Sequence, residues 1–194
     1  MTEKRPDDIR FLINTFAITL VLFAIIATFQ PYLENEPKLE DVKRIESRIV
    51  TLEPTQLAAM LKSEKPVMLV AYASWCPYCR EIMPIVAQMI RNHELDGVTP
   101  LFVSLDVEPR PLSRYLVHGG YDKIFSPYVV DHGLSRRIST AMEPSGSHFS
   151  GVIPYIGFFD KNGIVQAESV GVVNRSRLMA MAITVTPHLL RGPP

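Results

Sequence analysis

The sequence has no surplus of either charge: 20 lysines and arginines balance 20 aspartates and glutamates. A basic field of the kind that grips nucleic acid is therefore missing, and no nucleic-acid partner is expected. Internal repeats and low-complexity tracts are missing too. Cysteine is scarce, with two in the chain, Cys76 and Cys79. At 194 residues there is room for one ordinary domain and a short attachment, not for two full domains.

Charge is also missing locally. The stretch Phe11–Phe29, FLINTFAITLVLFAIIATF, holds no ionisable side chain. At about 1.5 Å per helical residue it nearly matches a hydrocarbon core of about 30 Å. A cleaved signal peptide would need a shorter apolar core and a small-x-small cleavage site, which Ala24-Ile25-Ile26-Ala27 does not supply. A buried core helix would show a polar face, and only Asn14 and scattered threonines interrupt this one. An uncleaved transmembrane anchor over residues 11–29 is the expectation. Lys4, Arg5 and Arg10 precede it closely, whereas the first basic residue after it is Lys38, followed by Lys43, Arg44 and Arg48. Cations near a span favour the cytoplasmic side. Residues 1–10 are thus expected in the cytoplasm and the rest outside it. In a cell with two membranes, this is a single-pass inner-membrane protein facing the periplasm.

Residues 30–48 are rich in charge and contain two prolines, so they read as a solvated linker with a short helix near its end. From Ile49 the pattern becomes globular. Ile49–Leu52 reads as a strand and Pro54–Ser63 as a helix. Val67–Tyr72 is a nearly all-apolar run suited to a strand buried on both faces. A helical pattern with Pro84 inside it follows to Asn92, then an apolar strand at Leu101–Val107. Further helices are expected at Leu112–His118 and Leu134–Met142, with a short strand at Tyr128–Val130 between them. Lys161-Asn162-Gly163 is a tight turn between a strand at Tyr155–Asp160 and another at Ile164–Val170. Asn174 caps a last helix. Alternating strands and helices that end in a hairpin and a helix predict an α/β fold around a central mixed sheet.

The two cysteines stand in Trp75-Cys76-Pro77-Tyr78-Cys79. C-x-x-C is either a redox dithiol or half of a zinc site. Zinc would need two further ligands at short spacing, and His93, His118, His132, His148 and His188 are scattered. No metal or other cofactor is expected. A passive disulfide across so short a loop would restrain little chain entropy. Cys76 falls where a buried strand gives way to a helix, so backbone N–H groups and the helix dipole favour a thiolate there. Cys79, one turn on, is placed to resolve a mixed disulfide. Trp75 reads as a partly exposed lid or, alternatively, as a core aromatic.

These residues resemble the thioredoxin superfamily. The likeness extends beyond the dithiol: a buried strand leads into Ala73-Ser74-Trp75-Cys76-Pro77-Tyr78-Cys79, and Pro84 falls five positions after the second cysteine. Gly151-Val152-Ile153-Pro154, an apolar strand and Lys161-Asn162-Gly163 then look like the family's cis-proline strand and hairpin. The resemblance covers about residues 49–190 and implies a thioredoxin-like fold. It also implies that Pro154 is cis and that Ile153 offers its backbone to an extended substrate. Substrate contact is thereby expected from Trp75, Pro77, Tyr78, Ile153 and Pro154, with Cys76 and Cys79 as the redox-active, catalytic pair.

Two departures accompany the likeness. A longer stretch between Cys79 and Pro154, with an insert at about 108–150, is similar to membrane-anchored TlpA/ResA-type proteins. Thioredoxins also place a buried acid six residues before the first cysteine, where this chain has Val70. Glu81 and Asp106 are the nearest acids in sequence, and each reads as a solvated or strand-end charge. The resemblance implies a protein-disulfide reductase with protein thiols and disulfides as partners, re-reduced by a membrane electron donor of the DsbD type. Pro77-Tyr78, familiar from glutaredoxins and some Dsb proteins, leaves open an oxidase or isomerase. A copper chaperone using both thiolates and His132 or His148 is the rival of another class.

Overall fold

The computed structural model describes residues 6–34, 36–130, 135–187 and 189. Lys4, Arg5, His132, Leu134 and His188, all named above, lie outside them. The chain divides into two units, Met1–Pro37 and Lys38–Pro194. In the first, a single helix α1 (Pro6–Glu34) contains the whole uncharged run. Its described apolar side chains are exposed, Phe16, Val21, Phe23 and Ile26 among them. Among the residues whose side chains are described, no helix is long and apolar enough to cross a membrane.

The linker expected over 30–48 is shorter than its composition suggests. Its first residues complete α1, and its second half folds as α2 (Leu39–Glu46), with Val42 and Ile45 buried. That short amphipathic stripe inside a charged stretch packs beside a later helix, α5 (Pro109–His118). The second unit therefore starts before Ile49.

Beyond α2 the elements run β1 (Val50–Thr51), α3 (Pro54–Met60), β2 (Val67–Tyr72), α4 (Pro77–Arg91), β3 (Thr99–Ser104), α5 (Pro109–His118), β4 (Tyr128–Val129), α6 (Ser135–Met142), β5 (Tyr155–Phe159), β6 (Val165–Val170) and α7 (Arg175–Val185). The strands form one sheet in the order β1-β4-β3-β2-β5-β6. Pairs from β1 to β2 are parallel; β2 with β5 and β5 with β6 are antiparallel. This is the mixed sheet expected from the sequence.

Side chains alternate across a strand, so β2 feeds two cores. Met68, Val70 and Tyr72 join Ile82, Met83 and Val86 of α4, Leu112 and Leu116 of α5, and Leu178 of α7. Val67, Leu69 and Ala71 face the other way, toward Leu57 of α3 and Ile138 and Met142 of α6. The stretch expected as an insert is not an appendage. It supplies α5, the strand β4 hydrogen-bonded between β1 and β3, and Phe125, whose ring stacks on Phe102 at 3.6 Å.

The hairpin closes as expected. Gly163 has φ +78°, and the Asp160 carboxylate accepts from the N–H groups of Asn162 and Ile164. Asn174 caps α7 by accepting from the Arg177 N–H at 2.9 Å. On β5, a Cβ at Gly157 would lie 2.5 Å from the Tyr155 hydroxyl oxygen and 2.7 Å from Phe159 Cε2. The Tyr155 hydroxyl is held by Ser147 and Glu168, so it cannot swing clear. Gly157→Ala should lower stability by about 1–3 kcal/mol. The check is an earlier denaturant midpoint at unchanged slope.

Candidate active site at the carboxyl end of the central strands

β2 ends at Tyr72 and the chain turns through Ala73-Ser74-Trp75 into Cys76, which is the N-cap of α4. The turn is closed by the Cys76 N–H donating to the Ala73 carbonyl at 3.2 Å. Pro77 takes the first helical position, where its missing N–H costs nothing. The Cys79 N–H, one turn in, donates to Cys76 Sγ at 3.2 Å. A sulfur thus fills the place that a serine or aspartate oxygen takes at an ordinary N-cap. Pro84, inside the same helix, cannot donate to the Arg80 carbonyl.

Both cysteines are free thiols. Cys76 is 4% exposed and Cys79 0%, so only Cys76 has an edge toward solvent. Burial pushes the Cys79 thiol well above its usual range. The hydrogen bond with Cys76 pushes the same way, the Ala73 backbone pulls back, and the nearby charges of Cys76 and Asp106 add to the rise.

Facing the pair is the loop ahead of β5. The Ile153–Pro154 peptide is cis, and Cys76 Sγ approaches the Ile153 carbonyl oxygen at 4.0 Å. Pro154 is buried and Ile153 half-buried. Trp75 is 58% exposed and Tyr78 62%, which rules out the core-aromatic alternative for Trp75. Pro77 is exposed between them. Cys76 thus stands between the exposed Trp75, Pro77 and Tyr78 and the Ile153 carbonyl, with Cys79 and Pro154 buried.

Val70 is fully buried and pairs with Phe102 and Ile156, so that position offers no acid. Asp106 corrects the expectation of a solvated strand-end charge. It is 3% exposed and sits just past β3. Its carboxylate accepts from the Ser74 N–H at 2.8 Å and the Ser74 hydroxyl at 2.6 Å, and from the Ser104 hydroxyl. On the other side of Ser74, Arg80 Nε and Nη2 donate to its carbonyl at 3.2 and 3.0 Å. Glu81 is exposed, as expected. The missed signal was positional. β3 runs parallel to β2, so a charge at its carboxyl end must lie beside the turn that leads to Cys76.

Of the two histidines of the copper reading, His132 lies outside the described residues. His148 pairs through Nδ1 with Glu168 of β6, and among the described residues no group of three His, Cys, Asp or Glu is placed to hold a metal.

The chain is similar to several known proteins. A mitochondrial thioredoxin domain-containing protein of Schizosaccharomyces pombe is 30% identical over 74 residues, 38% of this chain and 20% of that protein's length. A thiol:disulfide interchange protein of the thioredoxin family from Chlorobium tepidum superposes with a TM-score of 0.51 at 20% identity, over 66% of this chain and 83% of its own. StoA from Bacillus subtilis gives 0.47 at 18% identity, over 63% and 85%. The profile of the AhpC/TSA family matches residues 41–168. The chain belongs to the AhpC/TSA family and carries the thioredoxin-like fold of thiol–disulfide oxidoreductases.

Proposed function

We propose that this protein reduces protein disulfides outside the cytoplasmic membrane, to which α1 anchors it. The observation that carries the chemistry is the pair itself. Cys76 Sγ has a solvent edge, accepts the Cys79 N–H and lies against the Ile153 carbonyl, while Cys79 is sealed beneath it. The Cys76 thiolate attacks one sulfur of a substrate disulfide and expels the other as a thiolate, which takes up a proton. Cys79, once deprotonated, attacks Cys76 Sγ, breaks the mixed disulfide and releases the second substrate thiolate. Two electrons pass to the substrate and the Cys76–Cys79 disulfide is left. A membrane dithiol donor of the DsbD type would return the pair to its reduced form.

Anchoring is supported by the uncharged Phe11–Phe29 run inside α1 and by the exposure of its described apolar side chains. Lys4, Arg5 and Arg10 favour a cytoplasmic N-terminus, hence a dithiol on the far side.

Cys79→Ser should accumulate substrate proteins as mixed disulfides on Cys76, seen as reducible adducts on non-reducing gels. Adducts formed instead by Cys76→Ser would overturn the assignment of roles. The direction of electron flow is read from the reduction potential. A value of about −270 mV fits a reductant, and one of about −120 mV would make this an oxidant, the alternative that Pro77-Tyr78 leaves open.

A further inference from the structure

The loop that faces Cys76 is fastened at both ends to one side chain that the reaction above does not use. Glu168 of β6 stands opposite Gly157 of β5. Cross-strand partners share a face, and so do residues two apart on a strand, so Glu168, Gly157 and Tyr155 line the same side of the sheet. Gly157 has no side chain, and the Tyr155 ring lies across the space it leaves. The Tyr155 hydroxyl thereby donates to Glu168 Oε2 at 2.9 Å. From the other end of the loop, the Ser147 hydroxyl reaches the same oxygen at 3.1 Å, and the His148 N–H donates to both oxygens at 3.2 and 3.1 Å. His148 Nδ1 pairs with Oε1 as well.

These bonds are unequal. The His148 side chain is 91% exposed, so the ring's share is small. The Glu168 side chain is 21% exposed, and bonds from neutral donors to a shielded carboxylate are stronger than ordinary ones. Burial pushes the Glu168 carboxyl up, but the bonds from His148, Tyr155 and Ser147 outweigh it and hold it below its ordinary range. Between the tied ends, Phe149 is buried with its ring 4.7 Å from that of Tyr155, and the Pro154 carbonyl accepts the Gly171 N–H at 2.8 Å. The apex of the loop is residues 150–153, where Val152 is exposed and the Ile153 carbonyl lies 4.0 Å from Cys76 Sγ. A chain that brings a disulfide to Cys76 must therefore lie along this apex. A loop already ordered costs the incoming chain less entropy than one ordered on contact.

We propose that Glu168 is a positioning residue for protein substrates: by tying Ser147 and His148 to Tyr155 it holds the 147–155 loop in the shape against which a substrate chain docks beside Cys76. The inference rests on the dithiol-exchange reading given above. Glu168 then acts on the docking of a polypeptide and not on the sulfur chemistry, and a small disulfide that needs no docking surface does not sense it.

The test uses the full-length protein in detergent, with insulin as the polypeptide disulfide, dithiothreitol as reductant and the small aromatic disulfide DTNB for comparison. Glu168→Gln keeps the shape but turns one acceptor oxygen into a donor, so the side chain can no longer accept from all its present partners. Its KM for insulin should rise by at least about fivefold as the docking-competent loop population falls, with kcat within about twofold of wild type. Its single-turnover rate with DTNB should likewise stay within about twofold. Hydrogen exchange at the amides of residues 150–153 should quicken in the variant, while exchange in β2 stays as it was. An unchanged KM, or equal losses toward insulin and DTNB, overturns the proposal; the second outcome would make Glu168 a residue of general stability. Unaltered exchange at 150–153 overturns it too. Should Glu168→Gln not fold, Tyr155→Phe and Ser147→Ala each remove one tie, and an insulin KM unchanged in both rejects the inference. A wild type inert toward DTNB would instead remove the dithiol-exchange reading, and the exchange comparison would still decide whether Glu168 orders the loop.

Discussion

Cys76→Ser should reduce insulin-disulfide cleavage to the uncatalysed background, a loss of at least about 1,000-fold. The size follows from how unequal the two sulfurs are. Cys79 is 0% exposed and its ionisation is opposed by burial, so it cannot take over the first attack when Cys76 is gone. Cys79→Ser is a different lesion. It leaves the first attack intact and stops turnover at the mixed disulfide, which a small external thiol can still cleave. Added glutathione should therefore restore part of the activity of Cys79→Ser and none of that of Cys76→Ser. Equal rescue of both variants would mean that the attacking sulfur has been misassigned. Trp75 and Tyr78, both exposed beside Cys76, contribute contact area to a protein substrate and not to a small disulfide. Their replacement by alanine should leave the DTNB reaction of the protein largely alone.

The parts of the site that could be read from the sequence are those encoded within one turn of chain. A C-x-x-C segment after an apolar run places one sulfur at a helix N-terminus and the other beneath it, and the structure has that arrangement. Ile153 and Pro154 were reachable only through family likeness, because nothing in their own composition brings them to Cys76. Asp106 escaped because its partner is 32 residues away, and a lone carboxylate at a strand end is ordinarily solvated. Its burial becomes visible only when β2 and β3 are laid side by side in parallel. The short helix expected near the end of residues 30–48 is α2, but its packing was not legible: Val42 and Ile45 are two apolar residues among charges, and α5 gives them a surface to meet. Within residues 108–150, Leu112, Leu116 and Phe125 fill the same core as β2, a partnership that only the folded sheet reveals.

The second large effect concerns α1. Replacing Leu20 and Phe23 together by arginine should move the protein from the membrane pellet to the soluble fraction after osmotic lysis. Each arginine near the middle of a span costs about 2.5–3.5 kcal/mol, and the lost leucine and phenylalanine each add a few tenths. The pair thus costs about 6–8 kcal/mol, a factor of more than about 10,000 in partitioning. Both side chains point to the exterior of α1 as described, so the substitution introduces no clash within the helix. The dithiol is carried by the unit Lys38–Pro194, so its reaction with DTNB should persist in the released protein. Retention of the double variant in the pellet, or a soluble wild type, would remove the anchor from the proposal while leaving the dithiol chemistry untouched. A variant that is both released and inert toward DTNB would point elsewhere, to an α1 needed for folding of the catalytic unit. Those outcomes separate attachment from catalysis, which the sequence joins only by placing one ahead of the other.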